Sequence, residues 1–532
     1  MRPPNHANAS TIAVRSLLRW TIMLWAGWLL LGCSAHRPGL VREYSYAYPP
    51  AEFGTVAARV GPLLPDDRIS SGLRLVPGGI DAFALRAISA ENAALSLDLQ
   101  YYIWRDDLTG QLLSYEVMAA ADRGVRVRLL IDDLDARGKS QMLASLDLHP
   151  NIEVRVFNPW FTRRGWIRTS IEFLARGSRV NRRMHNKLWL VDTRIALIGG
   201  RNVGDEYFDA SPDVNFEDLD LVIAGQLVAD AAEQFDRYWN DALAIPVSYV
   251  RGLRKSKIED LQQLRERLTS TWSEAQQSTY VRRMREAAVL QDILSGRTAP
   301  VVTQRARLLV DDPRKADPDA KDIEPGVREA LLAAMHGGEK TVQVISPYFV
   351  PGRNGTEGLL DLERTGVEVE VLTNSLDATD VAFVHSGYIR YRRPLLEGGV
   401  QLYELKPNFE PGADRQRLGL GSSKASLHTK AAIIDDRSVF VGSFNLDPRS
   451  ARLNCEMGVL LDSRELARHL AEVFDGSTDP SRAYEVQLDD KERMIWVEGS
   501  EDEPVVHRHE PAGLLRRALT QIIRWLPIEP LL

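Results

Sequence analysis

The sequence predicts an α/β protein: two α/β/α repeats packed about a pseudo-twofold axis around one shared active site. Three observations predict it. The same strand–helix–strand order occurs twice in 532 residues, each half closes on the same His-x-Lys constellation, and a charged helical stretch separates the halves. A chain of this length exceeds one ordinary hydrophobic core. Its 44% hydrophobic and 26% charged residues describe a globular protein, neither disordered nor polytopic. The net charge of −7 argues against a duplex nucleic-acid binder, which needs an excess of Lys and Arg.

Taken in chain order, Arg15 and Arg19 precede an apolar stretch, Trp20 to Leu31, that ends in Leu30-Leu31-Gly32-Cys33-Ser34. A positive start, a short apolar run, a small residue and then cysteine is the pattern of a bacterial lipoprotein signal. The run is shorter than the roughly 20 residues of a bilayer span. Residues 1–33 are therefore expected to be signal and anchor, with Cys33 the lipidated N-terminus of a chain facing the periplasm. By analogy with Gram-negative sorting, Ser34 favours the outer membrane over the inner. An uncleaved membrane anchor is the competing reading. Cys455, the other cysteine, is expected to be a small buried hydrophobe. Residues 34–75, rich in Pro, Gly and Tyr, read as a tether.

The first repeat, 76–245, has a strand at Leu95–Leu99, a helix from Leu112 to Arg123, and strands at Val125–Ile131 and Ile152–Val156. The second, 301–475, answers with a strand at Thr341–Ile345, a helix from Leu359 to Thr365, and strands at Val367–Leu372 and Val400–Leu405. Between them, in 246–300, Ile258, Leu261, Leu264 and Leu268 recur at helical spacing. Asp312 to Pro318 reads as an exposed loop. Residues 476–532 form a tail with an amphipathic helix at 512–526.

The chemistry sits in two matched constellations. His185-Asn186-Lys187 runs on to Asp192, Gly199, Gly200 and Asn202; His428-Thr429-Lys430 runs on to Asp435, Gly442, Ser443 and Asn445. Placed on a strand, residues two apart face one side, so each His and Lys would point into a common space. Asp192 and Asp435 are expected to stabilise turns. A phosphodiester gains charge on its oxygens in the transition state, and Lys187 and Lys430 supply the opposing charge, with Asn202 and Asn445 as neutral donors. One histidine must be neutral to attack phosphorus and the other protonated to release the alcohol. This chemistry calls for no metal or other cofactor. The remaining histidines lack zinc-ligand spacing, and no Gly-rich phosphate loop is present. His385 is read as a pocket-lining residue or an ordinary core histidine.

These paired motifs resemble the two HxKxxxxD motifs of the phospholipase D superfamily, over most of residues 76–475. Gln100-Tyr101-Tyr102-Ile103-Trp104, Asp122 to Val127, Gly199 to Phe208 and the closing Leu526-Pro527-Ile528-Glu529 are similar to the bacterial cardiolipin synthase C type. The resemblance implies transfer of a phosphatidyl group from a phospholipid, possible donors being phosphatidylglycerol and phosphatidylethanolamine, to phosphatidylglycerol. It implies a phosphohistidine at His185, with His428 as the acid and later the base; near-symmetry leaves the reverse assignment open. Hydrolysis by the same site, as in a phospholipase D or an exported nuclease, is the rival reading, and the need for an accessory protein is open. By the same resemblance a carboxylate beyond the asparagine orients each histidine: Asp218 in the first motif, with Glu217 and Asp220 as rivals, and Glu456 in the second. Gly200 departs from the pattern, lacking the hydroxyl that Ser443 provides.

Two segments suggest a membrane-surface substrate. Aromatic residues, among them Trp166, alternate with Arg163, Arg164, Arg168, Arg182 and Arg183 just before the first motif, as in a docking lip for anionic phospholipid. A solvated loop, or one stacking on single-stranded nucleic acid, competes. In the tail, Leu514, Leu515, Ala518, Leu519, Ile522 and Ile523 share one half of a helical wheel opposite Arg516, Arg517 and Arg524. That suits an interfacial helix, or one that packs its apolar face on the protein itself.

Overall fold

Residues 96–101 are buried on both faces of their strand, as a central strand of a mixed sheet sandwiched between layers must be. The computed structural model describes residues 43–63, 69–160, 177–250, 256–287, 300–407, 424–499 and 503–524. Cys33, Arg163, Arg164, Trp166 and Arg168 lie outside the described residues, as do Trp525 and Leu526 of the expected tail helix.

The first half supplies β1 (Ser71–Val76), β2 (Ser96–Tyr101), β3 (Arg126–Asp132), β4 (Ile152–Phe157), β5 (Leu188–Val191), β6 (Ile195–Gly199), β7 (Val214–Glu217), β8 (Asp220–Gly225) and β9 (Ala244–Pro246). The connector leads into β10 (Val301–Thr303) and β11 (Ala306–Val310). The second half supplies β12 (Thr341–Ile345), β13 (Glu368–Asn374), β14 (Gln401–Leu405), β15 (Lys424–Leu427), β16 (Ala431–Ile434), β17 (Ser438–Gly442) and β18 (Met457–Asp462). The tail adds β19 (Ala483–Leu488), β20 (Met494–Glu498) and β21 (Val505–His507).

One sheet runs β10-β1-β8-β6-β5-β2-β3-β4-β9, the other β11-β18-β17-β16-β12-β13-β14-β19-β20-β21. The parallel trio β2-β3-β4 corresponds to β12-β13-β14, and the antiparallel run β5-β6-β8-β1 to β16-β17-β18-β11. The fold is the doubled α/β arrangement expected. One continuous buried cluster joins the halves: Leu130, Leu188, Ile198, Phe235 and Trp239 with Ile345, Leu372, Ile433, Val441 and Phe474.

Equivalent turns stitch each repeat. Asp192 and Asp435 both take the left-handed conformation, at φ 54°. The Asp192 carboxylate accepts from the N–H groups of Ala94, Leu95 and Ser96, and Asp435 from those of Glu339, Lys340 and Thr341. Each carboxylate thus ties the β5–β6 or β16–β17 turn to the start of β2 or β12.

Three expectations need correction. Residues 45–51, read as tether, are bonded across the first sheet: Ala47 N–H donates to Asp236, Ala51 N–H to the Asp192 carbonyl, and Arg128 to the Ser45 carbonyl. The segment at Asp312 is not an exposed loop; Pro313 and Ala316 are buried and Asp312 caps a short turn. The second sheet does not end with the repeat at 475, because β19 of the tail pairs with β14 and lengthens it. In the connector, helix Ile258–Ala275 buries Leu261, Leu264 and Leu268, while Ile258 at its first turn is exposed.

Candidate active site

Strands β5 and β16 begin at Leu188 and Ala431, so both His-x-Lys segments precede their strands rather than lying on them. What holds them is pairing with the opposite half. Met184 bridges Cys455 in parallel, and His185 N–H donates to the Cys455 carbonyl at 2.8 Å. In the same way β15 pairs in parallel with β7, placing Leu427 opposite Glu217, and His428 N–H donates to the Glu217 carbonyl at 2.7 Å. The last residues of β3 and β13 secure the same points. Asp132 accepts from Met184 N–H at 2.9 Å, and Asn374 bonds both N–H and carbonyl of Leu427 at 2.9 Å each.

This pairing exchanges the expected carboxylates. Glu456, next after Cys455, falls beside His185, and its Oε2 is 2.8 Å from Nδ1. Asp218, next after Glu217, falls beside His428, at 2.5 Å from Nδ1. Each histidine is therefore oriented from the other half, not from its own. A carboxylate only accepts, so Nδ1 carries the proton and Nε2 keeps its lone pair. The rivals are engaged elsewhere: Glu217 accepts from Arg482 at 2.5 Å and Asp220 lies 2.9 Å from Arg86.

Gly200 and Ser443 follow from these partners. Ser443 Oγ donates to Glu456 Oε2 at 2.5 Å, whereas the space beside Gly200 is filled by the Asp218 carboxylate. Glycine there is a fit to the shorter acid.

Lys187 Nζ donates to its own His185 carbonyl at 2.6 Å; Lys430 Nζ donates to the His428 carbonyl and lies 3.0 Å from His428 Nδ1. Both lysines are within electrostatic range of both histidines. Burial, reinforced by these cations and opposed by the carboxylates, pushes His185 down to about 4 and His428 down to about 3. Burial also lowers Lys430 to about 8 and holds Lys187 well below the usual lysine range. Burial alone would raise Asp218 and Glu456, but the facing histidines and lysines leave both below the usual carboxylate range.

Asn202 accepts from Ile103 N–H at 3.2 Å and donates to Tyr207 Oη at 2.9 Å. Asn445 Oδ1 is buried with no hydrogen-bond partner among the described residues. Two aromatic neighbours escaped the sequence reading as site residues. Tyr102 packs edge-on to His185 at 4.9 Å, and Tyr207 edge-on to His428 at 5.2 Å. Tyr102 directly follows β2, and the C-terminal end of a central parallel strand is where ligands bind in open α/β sheets, a signal that could have found it. Arg182 and Arg183, expected in a docking lip, are instead spent on the protein. Arg183 is buried 3.1 Å from Asp132, and Arg182 donates to the carbonyls of Lys315 and Arg452. His385 is buried between Arg392 and Glu510, tying the tail to helix Ala382–Glu397.

A family model described as cardiolipin synthase, PLD-like domain matches residues 88–239 and 331–477. The chain belongs to this family. A protein named cardiolipin synthase C from Escherichia coli strain K12 is 40% identical over 90% of this chain and 99% of its own length. One named cardiolipin synthase A from Pseudomonas entomophila is 25% identical over 77% of this chain and 69% of its own. In structure the chain resembles a phosphatidylserine synthase from Haemophilus influenzae, with a TM-score of 0.55 at 14% identity over 87% of this chain and 95% of that one. That likeness is one of fold. Each matched PLD-like region holds one complete motif, His185 to Asn202 in the first and His428 to Asn445 in the second.

Proposed function

We propose that this chain is a phosphatidyltransferase that makes cardiolipin, moving a phosphatidyl group from a phospholipid donor to phosphatidylglycerol. One observation supports it above all: two histidines, each with Nδ1 held by a carboxylate from the opposite half, share a buried space with two lysines. The near full-length similarity to a protein named cardiolipin synthase C favours transfer over hydrolysis.

Lys187 and Lys430 bind the non-bridging oxygens of the donor phosphate and offset the charge that grows there. His185 Nε2 attacks phosphorus, the bond to the leaving alcohol breaks, and the alcohol oxygen takes a proton from His428 Nε2. A hydroxyl of phosphatidylglycerol then attacks the phosphohistidine, gives its proton to His428 and frees His185. Burial keeps both imidazoles neutral at neutral pH before phosphate binds, which suits His185 as nucleophile. His428 gains its proton as the phosphate anion enters and offsets the two cations. Glu456 and Asp218 stabilise whichever imidazolium forms.

Purified chain given labelled phosphatidylglycerol, with and without phosphatidylethanolamine, should yield cardiolipin. Phosphatidic acid as the sole product would make it a hydrolase. We place the chain at the bacterial envelope, anchored through a lipidated Cys33 and facing the periplasm, on the outer membrane. Among the described residues no helix is long and apolar enough to cross a membrane. Metabolic lipid labelling should vanish in Cys33→Ala; unchanged labelling would remove the anchor.

A further inference from the structure

The C-terminal helix Leu514–Ile523 is turned the opposite way from a helix that packs on its own protein. Leu514, Leu515, Leu519 and Ile522 are 78%, 84%, 51% and 66% exposed, while Thr520 on the polar side is fully buried. An ordinary surface helix buries its apolar stripe. Here polar contacts do the holding. Arg516 donates to the Thr379 carbonyl and lies 4.0 Å from Asp377, and Arg390 of helix Ala382–Glu397 donates to the Arg524 carbonyl. Phe383, at the start of that neighbouring helix, is also exposed.

The attachment point lies beside the reacting groups. Thr379 adjoins Asp380, whose carboxylate accepts from Tyr348 Oη at 2.8 Å and acts electrostatically on Lys430 and on Tyr207. Tyr207 in turn packs against His428. One short loop therefore separates the exposed stripe from the histidine–lysine centre.

We infer that Leu514, Leu515, Leu519 and Ile522, with Phe383, are a docking surface for a lipid bilayer, seating the mouth of the active site on the membrane that supplies its substrate. The inference rests on the phosphatidyltransferase reading. A second copy of the chain is the weaker occupant. A stable dimer needs roughly 800 Å² from each partner, more than five side chains on a three-turn helix and its neighbour offer. A bilayer asks for less area and rewards charge as well. The helix carries no acid between Leu514 and Arg524 that an anionic lipid surface would repel, and its exposed stripe is wholly apolar.

The test places a polarity-sensitive fluorophore on Leu519→Cys in the full chain carrying Cys33→Ala; Cys455 is buried and does not compete for label. Vesicles of phosphatidylglycerol and phosphatidylethanolamine containing a doxyl-labelled lipid should shift the emission to the blue and quench it at least twofold. Unchanged emission on vesicles whose lipid the enzyme turns over would overturn the inference. So would a blue shift that grows with protein concentration without vesicles, which would assign the face to a second copy. Replacing Leu514, Leu515, Leu519 and Ile522 together by Ser should cut turnover of vesicle lipid at least tenfold and leave turnover of dispersed short-chain lipid within twofold. Equal losses on both would make the helix structural only. Should no cardiolipin form at all, the fluorophore still reports docking, so the two readings fail separately.

Discussion

Gly200 and Asp218 occupy each other's space: a Cβ on Gly200 would stand 2.1 Å from Asp218 Oδ1 and 2.8 Å from its Cγ. In the other half the longer Glu456 leaves room for Ser443, whose hydroxyl bonds it. The two sites solve one problem with matched pairs, Gly with Asp and Ser with Glu. Gly200→Ser should therefore displace Asp218 and release His428 from its orientation. Turnover should fall by about 10²–10⁴, the range general acid–base groups contribute. Ser443→Gly removes the hydrogen bond to Glu456, about 1 kcal/mol, so a loss near fivefold is expected. Steady-state rates and circular dichroism on both variants check this; equal losses would refute the pairing.

The crossed carboxylates give each histidine a partner of its own, Glu456 for His185 and Asp218 for His428. If His185 is the nucleophile, His185→Ala should abolish covalent capture of phosphate-labelled substrate. Glu456→Gln, which leaves His185 without its charged partner, should slow capture strongly. His428→Ala and Asp218→Asn should still trap label from a donor with a good leaving group, because such a donor needs no acid. Acid-quenched labelling followed by peptide mapping reads this directly. Label retained in His185→Ala and lost in His428→Ala would reverse the roles.

The doubled fold was legible because period-2 strands and a repeated His-x-Lys leave their mark within short windows. The exchange of Asp218 and Glu456 was not. It depends on β7 pairing in parallel with β15 across 210 residues of chain between His428 and its carboxylate, and register between distant segments is not written in local pattern. The burial of Asp312, Pro313 and Ala316 was hidden for a related reason. Their Asp-Pro composition matches a surface turn, yet neighbouring Asp311 accepts from Glu456 N–H at 3.0 Å and from Lys315 at 2.7 Å beneath the site. The apolar stripe of the tail helix was visible, but wheel geometry alone cannot say which face meets the protein.

Asp192 and Asp435 should matter to stability and not to chemistry. Each carboxylate accepts three successive N–H groups and each residue holds a positive φ that alanine disfavours. Asp192→Ala leaves those donors buried, at about 1–3 kcal/mol, and should lower the unfolding temperature more than Asp435→Ala, whose site is partly exposed. Asp435→Asn should be milder, since asparagine tolerates the left-handed region. Rates per folded molecule should stay near wild type. A selective loss of rate without a thermal shift would place either aspartate in the chemistry.

Protonation of the site and binding of an anion are linked, and the sign follows from the direction of each shift. His185 at about 4, His428 at about 3 and Lys430 at about 8 have all been lowered by burial, so each holds fewer protons in the folded protein than it would in water. An entering phosphate favours the charged form of every one of them, so their affinities for protons rise on binding. The complex then takes up protons, and affinity must weaken as pH climbs; above about 8 Lys430 loses its charge and the weakening continues in the same direction. Sulfate, which stays fully ionised, should bind with a Kd that increases steadily from pH 5 to pH 9, and calorimetry in buffers of different ionisation enthalpy should register proton uptake. If His428 is the acid, it needs that same proton before the first alcohol can leave, so kcat/KM should lean to the acid side of neutrality and fall toward pH 9. A Kd independent of pH, with no uptake, would mean that the imidazoles and ammonium groups do not surround one phosphate.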